Sequence, residues 1–375
     1  MKFSIQSSEL NAVLQSAGKI INPKHPIPIM EYFIFVLEDG KLEVTASDQE
    51  TTQITTMTVE KMDEAGSIAV PSRLILDVLK EFVDQLITIS ANPSTHEITV
   101  DWGSGTIAIP GQPVAGYPDV KTKNEETLHH IVMDAANLYE LISLTIFATA
   151  DKDSRPTMMG ILFDITPEST TVVATDAHKL VRVALTGTND VEGPTSFILP
   201  KKPANNLKAL LQKEDGPVTI EFDNKNIHFS LNDSVFICRA IEGHYPNYNS
   251  VIPQNNHNTL IIDRVALLSA IKRVSICSDK SSNLVRMNIV DNTLKLQAKD
   301  VNFYVSADDS LVCNHSGDPI DIGFKYMHLI EMLTVFSSQN IQIELSDSTR
   351  AGLFVPIDSD SECEKNSVVL LMPIM

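Results

Sequence analysis

Long apolar runs are missing from this chain: no stretch approaches the roughly 18 residues of a membrane-spanning helix. The opening MKFSIQSSEL lacks the apolar core and cleavage site of a secretory signal, so no leader is expected. Cysteine is scarce, with Cys238, Cys277, Cys313 and Cys363 scattered and no CxxC pair among them. They read as free thiols in a reducing compartment, the cytoplasm. The sequence shows no metal-ligand set, no nucleotide-binding loop, no cofactor motif and no low-complexity tract. Positive charge is also in the minority. A formal net charge of −19 argues at first against a nucleic-acid partner. That total misleads, however, if the basic residues are segregated on one face.

What the chain has instead is a pattern repeated three times. Thr45-Ala46-Ser47-Asp48 returns as Val173-Ala174-Thr175-Asp176 and again as Gln297-Ala298-Lys299-Asp300. Pro71 in AVPSRLILDVLKEF corresponds to Pro200 in ILPKKPANNLKALL and to Phe324 in IGFKYMHLIEML. Tyr117-Pro118 recurs as Tyr245-Pro246, and the third copy stops at Met372-Pro373. Leu10, Leu138 and Leu267 hold one place in three helical patterns. The period is far beyond the ~20–50 residues of a solenoid unit, so each copy is a whole domain with its own core. The expected boundaries are 1–124, 125–253 and 254–375. The polar stretches Asp119–Thr127 and Asn247–Asn258 are the candidate linkers.

Within the first copy, Leu10, Val13, Leu14, Ala17 and Ile20 fall at helical spacing behind a Ser7-Ser8-Glu9 cap. Apolar runs on either side of Asp39-Gly40 predict a hairpin. A second helix is expected to begin at Pro71, where proline is tolerated. The later copies predict helices over 136–147, 201–212, 264–277 and 325–336. With about eight strands per copy, the fold class is α+β with antiparallel sheets.

The charges then sort by element. Six helical segments together carry +7, so the rest of the chain carries −26. Lysine on a solvated helix face is one reading. The other is that the helices of all copies converge on a single polyanion, which acidic sheets repel from the outside.

The segments MKFSIQSSEL, KHPIPIM at 24–30, ATDAHKLVRVAL at 174–185, LPKK at 199–202, GHYPNYNSVIP at 243–253 and the ending VVLLMPIM share an order and spacing. In these the chain resembles the bacterial DNA polymerase III beta subunit, the sliding clamp, from residue 1 to residue 375. The resemblance implies three clamp-type domains, each with two helices and antiparallel sheets. It implies a head-to-tail dimeric ring with the helices lining a channel, and a subunit with no active site and no cofactor. Geometry agrees that one chain is too little. Six helices ~10 Å wide give a lining of ~60 Å and a bore of ~10 Å, whereas twelve give roughly 28 Å, enough for a duplex about 20 Å across.

By resemblance, a peptide-binding cleft takes in Met158, Thr175, Ala177, His178, Lys179, Leu180, Pro246, Ser250, Val251, Leu370, Met372, Pro373, Ile374 and Met375. A groove rich in methionine and proline adapts to several short motifs; Leu180, Val251 and Leu370 also read as core. The family usually has Gly where Ala177 stands and Arg where Lys179 stands. It often has a basic residue at the place of Ser250 and a charged one near Met375. The groove is therefore expected to be less basic. For duplex DNA the matching positions are Lys24, Arg73, Lys80, Lys201 and Lys202, with Lys152 and Arg155 in a loop near the DNA. Lys208, Arg264, Lys272 and Arg273 are further candidates from the helices. No recognition helix or aromatic stacking array is apparent, so contacts should be to phosphates. Ile107, Ile276 and Cys277 are expected either at the head-to-tail interface, where an edge strand would be paired, or in the core. The implied partners are the polymerase catalytic subunit, a clamp loader, other proteins carrying a clamp-binding motif, and a second copy of the chain; no membrane is involved.

Two other readings compete. One is a three-domain scaffold that uses the cleft but never encircles DNA. The other is a hydrolase built on Asp176 and His178 with Ser154 as nucleophile. Against it, Asp48 and Asp300 have no histidine two positions on, and turn-holding aspartates explain them better.

Overall fold

The computed structural model describes residues 1–118, 129–152 and 154–374. The expected linker at 119–127 and the expected site residue Met375 lie outside the described residues.

In the first repeat, β1 (Lys2–Gln6) and α1 (Ser7–Ala17) precede β2 (Tyr32–Glu38), β3 (Lys41–Ser47), β4 (Thr51–Thr58), β5 (Lys61–Glu64) and β6 (Gly66–Pro71). Then come α2 (Ser72–Leu79), β7 (Leu86–Ala91), β8 (Glu97–Asp101) and β9 (Thr106–Pro110). The second repeat runs β10 (His129–Asp134), α3 (Ala135–Thr145), β11 (Gly160–Thr166), β12 (Ser169–Thr175), β13 (Lys179–Thr186) and β14 (Thr195–Pro200). It closes with α4 (Lys201–Leu211), β15 (Pro217–Phe222), β16 (Asn226–Ser230) and β17 (Ser234–Arg239). The third has β18 (Asn258–Asp263), α5 (Arg264–Ser275), β19 (Leu284–Val290), β20 (Thr293–Asp300), β21 (Val305–Val312), β22 (Asn314–Ser316) and β23 (Ile320–Lys325). It ends with α6 (Tyr326–Val335), β24 (Asn340–Leu345), β25 (Gly352–Pro356), α7 (Glu362–Lys365) and β26 (Ser367–Leu371).

Apolar spacing explains the helices. In α1 the buried residues are Ser7, Leu10, Leu14 and Ala17, one face at intervals of three and four. The same stripe recurs in α5 as Leu267, Ala270, Ile271 and Val274, and its start is capped by Asp263, which accepts from the Ala266 N–H. Pro71 is displaced from its expected place: it is the last residue of β6 and the extended N-cap of α2, not its first helical residue. The Asp39-Gly40 hairpin is as expected. Both residues have positive φ, and Glu38 pairs with Lys41 across a two-residue turn.

The chain forms two compact units, residues 1–136 with 205–240, and residues 137–204 with 241–375. The first unit holds a sheet ordered β5-β1-β7-β8-β9 and another ordered β10-β15-β16-β17-β4-β3-β2-β6. One core of this unit joins Phe3 and Ile5 of β1, Phe33 and Phe35 of β2, Ile87 and Ile89 of β7, and the inner faces of α1 and α2. The second unit holds β14-β11-β12-β13-β26-β25-β24-β18-β22 and the small sheet β21-β20-β19-β23.

Repeat two therefore supplies strands to both units, because sheet pairing runs across the repeat boundaries. In each case the strand that follows the repeated aspartate turn pairs antiparallel with the last strand of the next repeat: β4 with β17, and β13 with β26. Among the described residues, the corresponding strands β21 and β9 each have a single neighbour and end their sheets.

The aspartate turns are built alike. Asp48 Oδ1 accepts from the backbone N–H of Glu50 and Thr51, and Asp176 Oδ1 from those of His178 and Lys179. Asp300 Oδ1 accepts from Asn302 and Phe303. Gln49 and Ala177, the first residues of the two short turns, take matching left-handed φ values of 70° and 72°.

Candidate functional site

A row of apolar side chains crosses one face of the nine-stranded sheet in the second unit. Leu162 on β11 sits opposite Ile198 and Val173, while Leu180 on β13 sits opposite Leu370, which in turn faces Leu353. These residues form one cluster with Ala351, and Ile241, Tyr245, Tyr248, Ile252 and Val368 pack against it. Leu180 and Leu370 are buried, so they make the floor of this patch rather than its rim.

The turn 176–179 forms one border. The Tyr245 phenol oxygen accepts from the Thr175 N–H at 3.1 Å, and the Thr175 hydroxyl donates to the Lys179 carbonyl at 2.8 Å. Burial pushes the Tyr245 phenol up, partly offset by the Thr175 bond. Burial also pushes the Tyr248 phenol up to about 12, reinforced by the Asp164 carboxylate that accepts its proton at 2.8 Å. Across the turn, the Met372 N–H donates to the His178 carbonyl and the Ile374 N–H to Gly323. The apolar end of the chain is thereby laid alongside the turn. A side chain at residue 323 would collide with the Ile374 carbonyl, so glycine permits the approach.

Ala177, His178, Ser250, Val251 and Met372 are exposed, whereas Pro246, Pro373 and Ile374 are half-buried. Met158 and Thr175 are buried. The tyrosines 245 and 248 and the residues Leu162, Ile241 and Ile252 were missed as site residues. Tyr245 carries a signal in the repeated Tyr-Pro pair, and Tyr248 and Ile252 fall within the GHYPNYNSVIP segment.

Lys179 does not point its charge outward. Its side chain is only 6% exposed, and its ammonium donates to Glu331 on α6 at 2.6 Å, with Asp176 at 3.6 Å and the His328 ring nitrogen at 3.4 Å. The Phe147 ring lies beneath it, 5.8 Å from the centroid. Burial would raise the Glu331 carboxyl, but hydrogen bonds from His328 and Lys179, with their charges, hold it below the usual carboxylate range. The lysine is spent on joining β13 to α6, so the groove is less basic than the count of lysines suggests. Nearby, Lys201 donates to Asp151 at 2.5 Å, and this bond keeps the Asp151 carboxyl low.

Among the other basic candidates, Lys24, Arg73, Lys80, Lys152, Arg155, Lys202, Lys272 and Arg273 are exposed, and Lys208 is half-buried. Lys80 pairs with Asp77 and Arg273 with Asp309. Arg264 is committed elsewhere: its guanidinium donates to the carbonyls of Ser338 at 2.6 Å and Leu333 at 2.7 Å, tying down the end of α6. Of the interface candidates, Ile107 is half-buried against the first core, Cys277 is half-buried, and Ile276 is 82% exposed.

Asp176 is occupied by two backbone N–H groups, as its counterparts in the other repeats are, so its position is that of a turn-holder. Among the described residues no group of three or more His, Cys, Asp or Glu side chains could hold a metal ion, and no helix is long and apolar enough to cross a membrane.

Comparison with known proteins gives a consistent result. Residues 1–121, 132–247 and 249–372 match in turn the N-terminal, central and C-terminal domains of the DNA polymerase III beta subunit. A beta sliding clamp from Vibrio cholerae is 29% identical over 375 residues, covering 100% of both chains. One from Escherichia coli is 24% identical over 374 residues, again covering 100% of each. The crystal structure of a sliding clamp from Pseudomonas aeruginosa bound to griselimycin superposes with a TM-score of 0.93 at 26% identity, covering 100% of this chain and 99% of that one.

Proposed function

The chain belongs to the DNA polymerase III beta subunit family, and we propose from that membership how it works as a sliding clamp. It is a processivity factor without catalysis of its own. It holds a replicative polymerase on its template because a closed ring cannot leave a duplex sideways. The observation that carries this reading is the match of all three consecutive family domains, in order, over nearly the whole chain.

Three domains bounded at 1–124, 125–253 and 254–375 form half of the ring, and a second copy, head to tail, completes it. Lys24, Arg73, Lys80, Lys152, Arg155, Lys201, Lys202, Lys208, Lys272 and Arg273 supply the sequence-independent phosphate contacts. Long, exposed lysines suit a protein that slides, because they let contacts be exchanged without a preferred register. The acidic remainder of the chain discourages DNA from binding anywhere but the channel.

The patch floored by Leu180 and Leu370, bordered by Tyr245 and the His178 turn and closed by the Met372–Ile374 tail, receives a short apolar segment of the polymerase and of other clamp-binding proteins. Thr175, Ala177, Lys179, Met158, Pro246, Ser250, Val251 and Met375 complete this proposed site, with Lys179 as a support of the turn. A clamp loader opens the ring in the cytoplasm.

The test is retention on DNA. Loaded onto a nicked circular duplex, the chain should stay bound through gel filtration and be lost once the circle is linearised; equal loss from both forms refutes encirclement. The variant His178→Ala should keep circular retention and weaken partner-peptide binding several-fold.

A further inference from the structure

The third aspartate turn differs from the other two. In the first repeat Asp48 faces Thr51 across Gln49 and Glu50, and in the second Asp176 faces Lys179 across Ala177 and His178. In the third, Asp300 pairs with Val305 across four residues, Val301, Asn302, Phe303 and Tyr304. The two extra residues come with apolar exposure: Val301 is 69%, Phe303 71% and Tyr304 95% exposed. Tyr304 is also held at φ 55°, a left-handed conformation unfavourable for a bulky residue. An aromatic pair held out into water on a strained turn is costly unless something covers it.

Repetition within the chain says what covers it. The two short turns each sit over the end of the next repeat's last strand, joined by one backbone bond. The Glu50 carbonyl accepts from Arg239 N–H, and the His178 carbonyl accepts from Met372 N–H. The matching residue of the first repeat follows from its hairpin. Glu97 pairs with Pro110 as Asn226 pairs with Arg239, and Gly111 bonds back to His96 as Ala240 bonds back to Lys225. Pro110 therefore stands where Arg239 and Met372 stand. Proline has no N–H to give, so the bond that closes the other two junctions cannot form at a junction ending in β9.

We infer that Phe303 and Tyr304 pack against Pro110 of a second copy of this chain, replacing with an aromatic–proline contact the hydrogen bond used at the two junctions within the chain. The inference rests on the reading of the molecule as a closed dimer. Carrying over the β4–β17 register, in which Thr51 faces Cys238, sets Val305 opposite the second copy's Ile109, and Asp308 opposite its Thr106. The turn then projects past the strand end, over the proline ring. The longer turn is needed because side chains must reach where a backbone bond cannot form. Phe303 and Tyr304 are thus positioning residues for ring closure, specific to the junction between chains.

Sedimentation equilibrium of the full chain and of the Phe303→Ser/Tyr304→Ser variant tests this. Both positions are exposed on a turn, so the variant should keep the wild-type circular dichroism spectrum. Its dimer dissociation constant should rise about 10- to 100-fold, the range of a lost aromatic anchor. A second variant, Tyr304→Cys/Pro110→Cys, should form a covalent dimer under mild oxidation that the wild-type chain, with its own four cysteines, does not. An unchanged dissociation constant together with no cross-link overturns the inference and leaves the ring standing. Loss of partner-peptide binding with an unchanged dimer assigns the turn to another occupant and also overturns it. A wild-type chain that sediments as a monomer overturns the ring itself.

Discussion

The Lys179–Glu331 pair gives the sharpest physical test of the cleft. Substituting Lys179→Met keeps most of the apolar stem that lies over Phe147 and removes the ammonium. Glu331 then keeps the His328 ring nitrogen at 3.6 Å and Asp176 its two backbone N–H partners, but both lose the ammonium between them. Breaking a fully buried pair costs about 3–5 kcal/mol. The Glu331 side chain, however, is 40% exposed while Lys179 is 6% exposed, and solvent screens the exposed end, where pairs are worth only ~0.2–1 kcal/mol. An intermediate loss of about 2 kcal/mol follows, or roughly 4–8 °C in the melting of a unit of this size. A double-mutant cycle with Glu331→Gln, read by urea unfolding, isolates the pair. The coupling should exceed ~1 kcal/mol, and single-variant effects that add to within ~0.5 kcal/mol refute the argument. The pH dependence has a defined sign. The Glu331 carboxyl is held below its ordinary range in the folded state. Its contribution is therefore complete above that range and is lost as pH falls through the lowered value. The stability gap between wild type and Glu331→Gln should shrink on acidification, and a gap that widens instead contradicts the assignment.

Other outcomes follow from the same geometry. Tyr245→Phe removes the acceptor of the Thr175 N–H and should cost about 1–3 kcal/mol in unfolding free energy, the penalty of a buried donor left unmade, while weakening partner-peptide binding by fluorescence anisotropy. Arg264→Ala should destabilise the chain by ~1–3 kcal/mol through the freed carbonyls of Ser338 and Leu333; its DNA affinity should keep the wild-type salt dependence, and a reduced slope would make Arg264 a phosphate contact after all. Lys201→Ala/Lys202→Ala should lower the slope of log affinity against log salt by up to ~1.8, about 0.9 for each lost phosphate contact.

Much of this molecule is legible in its sequence because it is written in local patterns. The aspartates at 48, 176 and 300 mark turns, Asp39-Gly40 marks a hairpin, and the apolar stripe through Leu267, Ile271 and Val274 marks a helix. Each depends on neighbours a few residues away. Pro71 shows where local reading slips: proline fits both the end of a strand and the start of a helix, and sheet pairing with Tyr32 decides in favour of the strand. The destination of Lys179 was not legible, since Glu331 lies 152 positions along the chain and nothing near either residue names the other. Arg264 illustrates the same limit: composition counts its charge toward a basic helix, while its guanidinium closes two carbonyls at the end of another.

The pairing of β13 with β26 has a consequence for anyone who would take the chain apart. A fragment ending at residue 253 keeps every residue of the first two repeats, yet it strips β13 of the neighbour that now pairs residues 179–183 with 367–371. What remains is a bare ladder of unsatisfied amides along an apolar strand that includes Leu180, Val181 and Val183. Such a fragment should stick to its own kind through that edge. The repeats are units of sequence, whereas the units of folding are sheets that no cut between repeats respects.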